Sequence, residues 1–199
     1  MIYTGFSHGF HDACMAYIED DTILGAYHAE RRSRIKNDKN PDPRWDKIGE
    51  TCFYEKPFLK FERLLETYVG FSPRGFKSFS LSMPLWLSEK LFQKKMLFDA
   101  LKEQDNNFND IKKINFSEHH LSHAASAFFP SPFEHAAVLT IDGVGEWTTT
   151  SLAIGSGHNL SVHKEIHFPH SIGLLYSALT YYTGFKVNSG EYKVMGLAP

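Results

Sequence analysis

The sequence predicts an α/β protein built from two β-meanders that are separated by helices. Three short runs rich in β-branched and aromatic residues open the chain, and three similar runs lie in its C-terminal half. Between the two sets, apolar residues recur at spacings of three and four, which is typical of amphipathic helices. Because each set contains a polar, glycine-bearing turn, the pattern indicates an internal duplication.

The first meander has predicted strands at residues 2–6, 13–18 and 22–28. The turn between its first two strands carries several polar residues and a glycine: Ser7, His8, Gly9, His11 and Asp12. Such a turn presents backbone N–H groups and side chains outward, where a phosphate can be held. A tight turn needs residues of this kind for its geometry as well, so the sequence leaves both interpretations open.

Two helices are predicted between the meanders, at residues 57–69 and 84–102, with an irregular basic segment at 71–82. The apolar stripe of the first helix is expected to face the core and consists of Phe58, Phe61, Leu64, Leu65 and Tyr68. The second helix offers Trp86, Leu87, Leu91, Leu97 and Phe98 as core residues.

A third helix is predicted to begin near Ser117, its N-cap, and to be ended by Phe128-Phe129-Pro130. His119 and His123 are four residues apart, so they face one side of this helix and can point at one ion. Asp142, at the end of the predicted strand 136–141, is a natural third ligand. Imidazole with carboxylate suits iron, manganese or zinc, and residue type alone does not choose among them.

His120 is turned by about 100° from these histidines, so it is expected to lie behind the ligands or in the core. Two strands, at 148–154 and 160–166, complete the second meander, and a helix follows at 171–183.

Two further segments are candidates for binding nucleotide or phosphate. Gly143 and Gly145 follow the second meander's first strand and would let the backbone approach a phosphate closely. A polar loop near the C-terminus is predicted to face the nucleotide or the acceptor, and its residues are Lys186, Asn188, Ser189, Gly190 and Glu191. Ordinary turn and loop geometry is the alternative for both segments.

Composition bounds the function. A formal net charge of −2 over 199 residues gives no long-range attraction to nucleic acid or to an anionic membrane. The N-terminus lacks the pattern of a signal peptide, and no apolar run approaches the ~20 residues of a membrane span. We therefore expect a cytoplasmic protein.

The sequence stops inside an expected element at Pro199, so we expect a fold that is incomplete at its C-terminus.

Two meanders that each carry a polar, phosphate-facing turn, with helices between them, are typical of the actin-like ATPase (ribonuclease H-like) fold. Four long motifs point to one family: H-H-L-S-H-A-A-S-A-F-F-P-S-P-F, V-L-T-I-D-G-V-G-E-W, F-Y-E-K-P-F-L-K-F-E-R-L-L-E-T-Y and the whole run from Phe168 to Pro199. These motifs closely resemble the O-carbamoyltransferases of the NodU/CmcH type, over essentially the whole chain.

The resemblance implies that residues 1–199 are the N-terminal portion of an actin-like domain. A YrdC-like domain, absent from this chain, would make carbamoyl adenylate from carbamoyl phosphate and ATP. The actin-like domain would move the carbamoyl group to a hydroxyl of a small molecule such as a sugar, a nodulation factor or an antibiotic. The implied ligands of a divalent metal, iron in relatives, are His119, His123 and Asp142, with a further aspartate beyond Pro199.

Asp12 is the candidate general base for the acceptor hydroxyl, with His11 beside it. The sequence departs from relatives at Asp20-Asp21, where they read Asp-Gly, and little effect is expected at this distant turn. Two alternatives are a tRNA threonylcarbamoyladenosine-type transferase, which the balanced charge disfavours, and an inactive, truncated half-domain.

Overall fold

The computed structural model of the protein describes residues 1–9, 13–36, 38–39, 48–90 and 92–198, without the side chains of residues 89 and 90. The chain forms two compact units, Met1–Ser117 and Glu118–Pro199. Each unit combines a β-sheet with helices, so the predicted α/β class is confirmed.

The first unit contains a five-stranded mixed sheet in the order β3-β2-β1-β4-β5. Its strands are β1 (Ile2–Ser7), β2 (Cys14–Glu19), β3 (Thr22–His28), β4 (Glu50–Phe53) and β5 (Ile114–Phe116). The first three strands pair antiparallel as the predicted meander, which is confirmed. The other two run parallel to β1, so the carboxyl ends of three strands meet at one edge of the sheet.

The turn between β2 and β3 shows how the departure at Asp20-Asp21 is accommodated. Both residues have positive φ, of 45° and 67°, as the two central residues of a tight hairpin require. Aspartate adopts this conformation more readily than most residues, because its short side chain can hydrogen-bond locally. An Asp-Asp pair therefore makes the tight turn without glycine.

The helices of the first unit are α1 (Ala29–Ser33), α2 (Pro57–Phe71), α3 (Phe76–Leu85) and α4 (Gln93–Gln104). The expectation of an irregular segment at 71–82 is wrong, because α3 begins there after Gly75 adopts a left-handed conformation. The expectation of one helix over 84–102 is also wrong, since a π-helical turn, Trp86–Lys90, separates α3 from α4. Pro84 lacks an N–H for the helix ladder, which is a physical reason for the irregularity that follows.

The core of the first unit includes these buried residues of its described part: Phe6, Met15, Tyr17, Ile48, Phe53, Leu97, Leu101, Phe108 and Ile114. The predicted core position of Leu97 is confirmed, whereas Phe58 and Leu87 are 68% and 54% exposed. The stripe of α2 packs instead on α3 and the turn after it, through Tyr68 stacked on Phe79 and Phe61 against Trp86.

The second unit contains a three-stranded antiparallel sheet in the order β6-β7-β8. Its strands are β6 (His135–Ile141), β7 (Thr148–Ser156) and β8 (Asn159–His167), and its helices are α5 (His119–Phe128), α6 (Ile172–Tyr182) and α7 (Glu191–Met195). The predicted second meander is thus confirmed.

Helix α5 packs on this sheet through Ala124 and Phe128, which are buried with Val138 and Ala153. The approach is close, since a Cβ on Gly155 would lie 2.4 Å from the Phe128 ring. Close packing fixes how α5 lies on the sheet. Among the described helices of both units, none combines the length and the apolar character that crossing a bilayer requires.

Asp105 gives a test of how the first unit is held together. Its buried carboxylate accepts hydrogen bonds from the amides of Ile48 and Asn107, both at 2.9 Å. We expect Asp105→Ala to lower the free energy of unfolding by about 2 kcal/mol, because two amides lose their acceptor. Denaturant unfolding measures the change. The exposed Asp99→Ala on α4 is the control and should stay within about 0.5 kcal/mol of wild type; equal losses would contradict the assignment.

Candidate metal centre at the end of strand β6

Helix α5 begins against a carboxylate from the turn after β6. Both carboxylate oxygens of Glu146 lie 3.1 Å from the amide nitrogen of His119, which donates to them. Glu146 is only 6% exposed, and an anion at a helix N-terminus is favoured by the helix dipole. The prediction of Ser117 as N-cap is wrong, because the helix begins one residue later, with Glu118 at the N-cap.

Sequence reasoning missed Glu146. The preference for acids near helix N-termini is a general signal. It does not say that a glutamate 27 residues further along the chain will occupy one.

His119 and His123 lie on the same face of α5, with their ring centroids 4.7 Å apart. Both lie within α5, whose first turn is closed by a hydrogen bond from the amide of Ser122 to the carbonyl of Glu118 at 2.8 Å. The expected facing of the two histidines is therefore present in the structure.

Asp142 comes directly after β6, where its amide donates to the carbonyl of Thr149 at 2.9 Å. One carboxylate oxygen, Oδ1, accepts from the amide of Gly143 at 2.6 Å. The other oxygen, Oδ2, lies 2.7 Å from His119 Nε2 and 3.7 Å from His123 Nε2. The turn itself thus orients the carboxylate toward the two imidazoles.

The structure brings together the three residues predicted as metal ligands. His119 Nε2 and His123 Nε2 are 3.1 Å apart, and the three donor atoms all lie within 4.8 Å of one another. A divalent ion bound at ~2.1 Å from each ligand atom requires separations between those atoms of ~3.0–3.4 Å. The three separations are 2.7, 3.1 and 3.7 Å, so the donor atoms reach this geometry with shifts of a few tenths of an ångström. Two imidazoles with one carboxylate are ligands that Fe²⁺, Mn²⁺ and Zn²⁺ accept.

The electrostatics of the cluster favour a positive charge at its centre. Side-chain hydrogen bonds with His119, and then with His123, hold the pKa of Asp142 well below its usual range, against the opposing effect of burial. An ionised carboxylate therefore faces two imidazole nitrogens. Three atoms with lone pairs repel one another at this distance unless a proton or a cation lies among them.

Gly145 packs directly on the paired histidines of α5. A Cβ at this position would lie 3.1 Å from His119 Cβ and from His120 Cδ2. Its amide donates to the carbonyl of Thr148 at 2.9 Å. Close packing against the histidines is thus a second reason for glycine here, and the predicted contact of Gly145 with phosphate stays a prediction.

The same turn is held from its other side by the start of α6. The Ser171 hydroxyl donates to the carbonyl of Gly143 at 2.7 Å and accepts from the amide of Leu174, as the N-cap of α6. A Cβ on Gly173 would lie 2.4 Å from the carbonyl oxygen of Asp142. Residues 142–145 are therefore fixed between two helices of this unit.

The predicted nucleotide-facing loop is held by its own glutamate. The carboxylate of Glu191 accepts hydrogen bonds from the amides of Asn188 and Gly190 at 2.7 and 3.1 Å. Backbone hydrogen bonds, of which that from Asn188 has the largest effect, lower the pKa of Glu191. Gly190 lies close to Lys186, since a Cβ there would be 2.6 Å from the Lys186 carbonyl oxygen. These contacts order the segment containing Ser189, and its role in binding nucleotide stays a prediction.

The two residues predicted to act in proton transfer, His11 and Asp12, lie outside the described residues. Their predicted roles therefore stay predictions.

Comparison with known proteins identifies the family. The family described as "Carbamoyltransferase N-terminus" matches residues 3–199. This chain belongs to that family. The predicted membership is confirmed, and the cluster of His119, His123 and Asp142 lies within the matched region.

Three curated relatives of this carbamoyltransferase-family chain come from bacteria. An uncharacterized protein of Synechocystis sp. is 54% identical over 98% of this chain and 34% of its own length. The nodulation protein NolNO of Sinorhizobium fredii is 33% identical over 95% of this chain and 28% of its own length. The nodulation protein NolO of Bradyrhizobium diazoefficiens is 43% identical over 41% of this chain and 15% of its length. The chain thus spans about a third or less of each of these relatives.

Gly145 provides a test of the packing around the histidines. We expect Gly145→Ala to weaken the binding of a divalent ion about tenfold, since the added methyl group displaces His119 or His120 by a few tenths of an ångström. Titration of the folded protein with Co²⁺ measures this. Gly143→Ala is the matched control, because a Cβ there meets only Leu174 Cδ2 at 3.8 Å; equal weakening in both would contradict the packing argument.

Glu146 provides a test of the helix start. We expect Glu146→Ala to lower the free energy of unfolding by about 1–3 kcal/mol, because the first amide of α5 loses its charged, buried acceptor. Glu146→Gln keeps one acceptor oxygen and should recover part of the loss. Thermal unfolding of both variants measures the difference, and an alanine variant as stable as wild type would show that Glu146 does not stabilise the helix.

Proposed function

We propose that the full-length protein containing this chain is an O-carbamoyltransferase. It would move a carbamoyl group from carbamoyl adenylate, made from carbamoyl phosphate and ATP, to a hydroxyl of a small molecule such as a sugar, a nodulation factor or an antibiotic. The observation that carries the proposal is the convergence of His119, His123 and Asp142 in a chain of the carbamoyltransferase family.

In this proposal the three residues hold a divalent ion, which is iron by resemblance to relatives. Such an ion would supply the positive charge that balances the adenylate phosphate and the charge developing on the carbamoyl carbonyl oxygen. Asp142 is suited to this role because it stays ionised, while Gly143 and the hydrogen-bonded turn keep its Oδ2 directed at the imidazoles. The arrangement is preorganised, so little reorganisation accompanies the binding of the ion.

Transfer to the acceptor requires its hydroxyl oxygen to attack the carbamoyl carbon, while the bond from that carbon to the phosphate oxygen breaks and AMP leaves. We assign the hydroxyl proton to Asp12 as general base, with His11 beside it. The adenylate would be held by the turn containing Gly143 and Gly145 and by the loop containing Lys186, Asn188, Ser189, Gly190 and Glu191. Support for these contacts is that both segments are ordered by hydrogen bonds of their own.

We assign the chain to the N-terminal portion of an actin-like (ribonuclease H-like) domain. The two antiparallel meanders, the first of which is extended by two parallel strands, support this assignment. The full-length protein would also carry the YrdC-like domain that makes the adenylate, and it would act in the cytoplasm on a small molecule rather than on nucleic acid or a membrane. Residues 1–199 alone should be inactive, since relatives are about three times longer.

The central test uses the full-length protein with carbamoyl phosphate, ATP and a panel of sugars and antibiotics. Mass spectrometry detects the carbamoylated acceptor. We expect Asp142→Asn to lower the transfer rate at least ~100-fold, because the ligand carboxylate is lost. Asp99→Asn, on the exposed face of α4, is the matched control and should retain the wild-type rate.

Two results would count against the proposal. An Asp142→Asn protein with the wild-type rate would remove the ion from the mechanism. A wild-type protein that makes no carbamoylated product from any acceptor, and consumes no ATP with carbamoyl phosphate, would contradict the assigned activity itself.

A further inference from the structure

We propose that a buried row of three hydrogen-bonded side chains, His120, Thr140 and Ser151, positions the ligands of the metal centre. This inference rests on the proposed function, because it concerns the same centre. The row would set the distance between two elements of the centre. One is α5, which carries His119 and His123, and the other is the end of β6, which Asp142 directly follows.

The row crosses from the helix to two strands of the sheet. His120 Nδ1 lies 2.7 Å from Thr140 Oγ1, which in turn lies 2.6 Å from Ser151 Oγ. All three side chains are buried, and His120 is only 3% exposed. Thr140 and Ser151 are directly opposite each other in the pairing of β6 with β7.

The row is attached next to the ligands on both elements. His120 directly follows His119 on α5. Thr140 lies on β6 two residues before Asp142, which directly follows the strand and continues its pairing through a hydrogen bond from its amide to Thr149, so both side chains leave the chain on the same side. A single hydrogen bond between His120 and Thr140 therefore joins the backbone beside one ligand to the backbone beside another, which is how outer hydrogen bonds orient metal ligands.

Proton positions in the row are consistent with this anchoring. A neutral imidazole has one donor and one acceptor nitrogen. The Thr140 hydroxyl can donate to Nδ1 while it accepts from Ser151, or it can accept from the Nδ1–H group, because a hydroxyl oxygen has one hydrogen and two lone pairs. In each arrangement Thr140 is the hydroxyl that contacts the His120 ring.

The other ring nitrogen of His120, Nε2, makes the bond to Thr140 more important. Among the residues that the structure describes, Nε2 of His120 is buried and has no hydrogen-bond partner. Within the described part of the chain, Thr140 is thus the polar group that fixes the rotation of the His120 ring. Loss of this bond would leave a buried polar ring without a partner beside His119, which favours a shift of the ring and of the ligand next to it.

A structural role without any effect on the metal is the competing explanation, because a buried polar row also stabilises a fold. The sheet offers a matched control for it. Thr150, on β7, has a buried hydroxyl that has no partner among the described residues. Thr140→Val and Thr150→Val are the same chemical change at two buried strand positions, but the first alone breaks a bond to His120.

The experiment titrates the full-length protein with Co²⁺, well below its unfolding temperature, and records the visible absorption of the bound ion. We expect Thr140→Val to weaken Co²⁺ binding ~10–100-fold and to change the absorption spectrum at saturation, because the geometry of the ligands changes. Thr140→Ser keeps the hydroxyl and should bind within about threefold of wild type. Thr150→Val should match wild type in both affinity and spectrum.

The outcomes separate this inference from the proposed function. If Thr140→Val binds Co²⁺ with wild-type affinity and spectrum, or if Thr150→Val weakens binding equally, the row does not position the ligands. If instead wild type binds no Co²⁺, or Asp142→Asn binds it unchanged, the metal centre itself is wrong. Should Thr140→Val fail to fold, Ser151→Ala takes its place, with an expected weakening of ~3–10-fold and the same spectral change; wild-type binding by that variant would overturn the inference.

Discussion

The hydrogen bond from the His119 amide to the buried carboxylate of Glu146 is the interaction on which the candidate site depends. It determines where α5 begins, and the first two turns of α5 carry both histidines of the cluster. Because Glu146 belongs to the turn after β6, the same contact joins the helix to the segment that carries Asp142. The turn after β6 therefore places both the start of α5 and the carboxylate ligand Asp142.

That turn has little freedom, because it is packed between two helices. Gly145 lies against the histidines of α5, and Gly173 of α6 lies against the backbone of Asp142. A side chain at either position would require atoms that are already in contact to move, and protein interiors are too densely packed to allow this cheaply. Gly145 and Gly173 thus serve the geometry of the cluster, whatever further contacts this turn makes with a ligand.

Much of the fold was predictable from local pattern. Short runs rich in β-branched and aromatic residues, separated by polar turns, predicted both meanders, since such side chains favour strands. The helix spacing of His119 and His123 predicted that their rings face the same side. The helical region of the first unit was less predictable. Because Gly75 precedes α3 and Pro84 lies inside it, the sequence pattern predicted an irregular segment and one helix where the structure has α3 and α4. The stripe of α2 was found, but its packing partner was not, because pattern gives the apolar face of a helix and not what covers it.

The sequence by itself determined the residue types of the cluster, their order and the family to which the chain belongs. Histidines four apart and an aspartate after a strand are local features, and local geometry decides them. Only the tertiary structure decided that the three donor atoms converge within 4.8 Å, that Glu146 rather than Ser117 faces the start of α5, and that His120 reaches Thr140. Those contacts join residues 20 to 27 positions apart, and their distances follow from how α5 packs on the sheet rather than from any spacing along the chain.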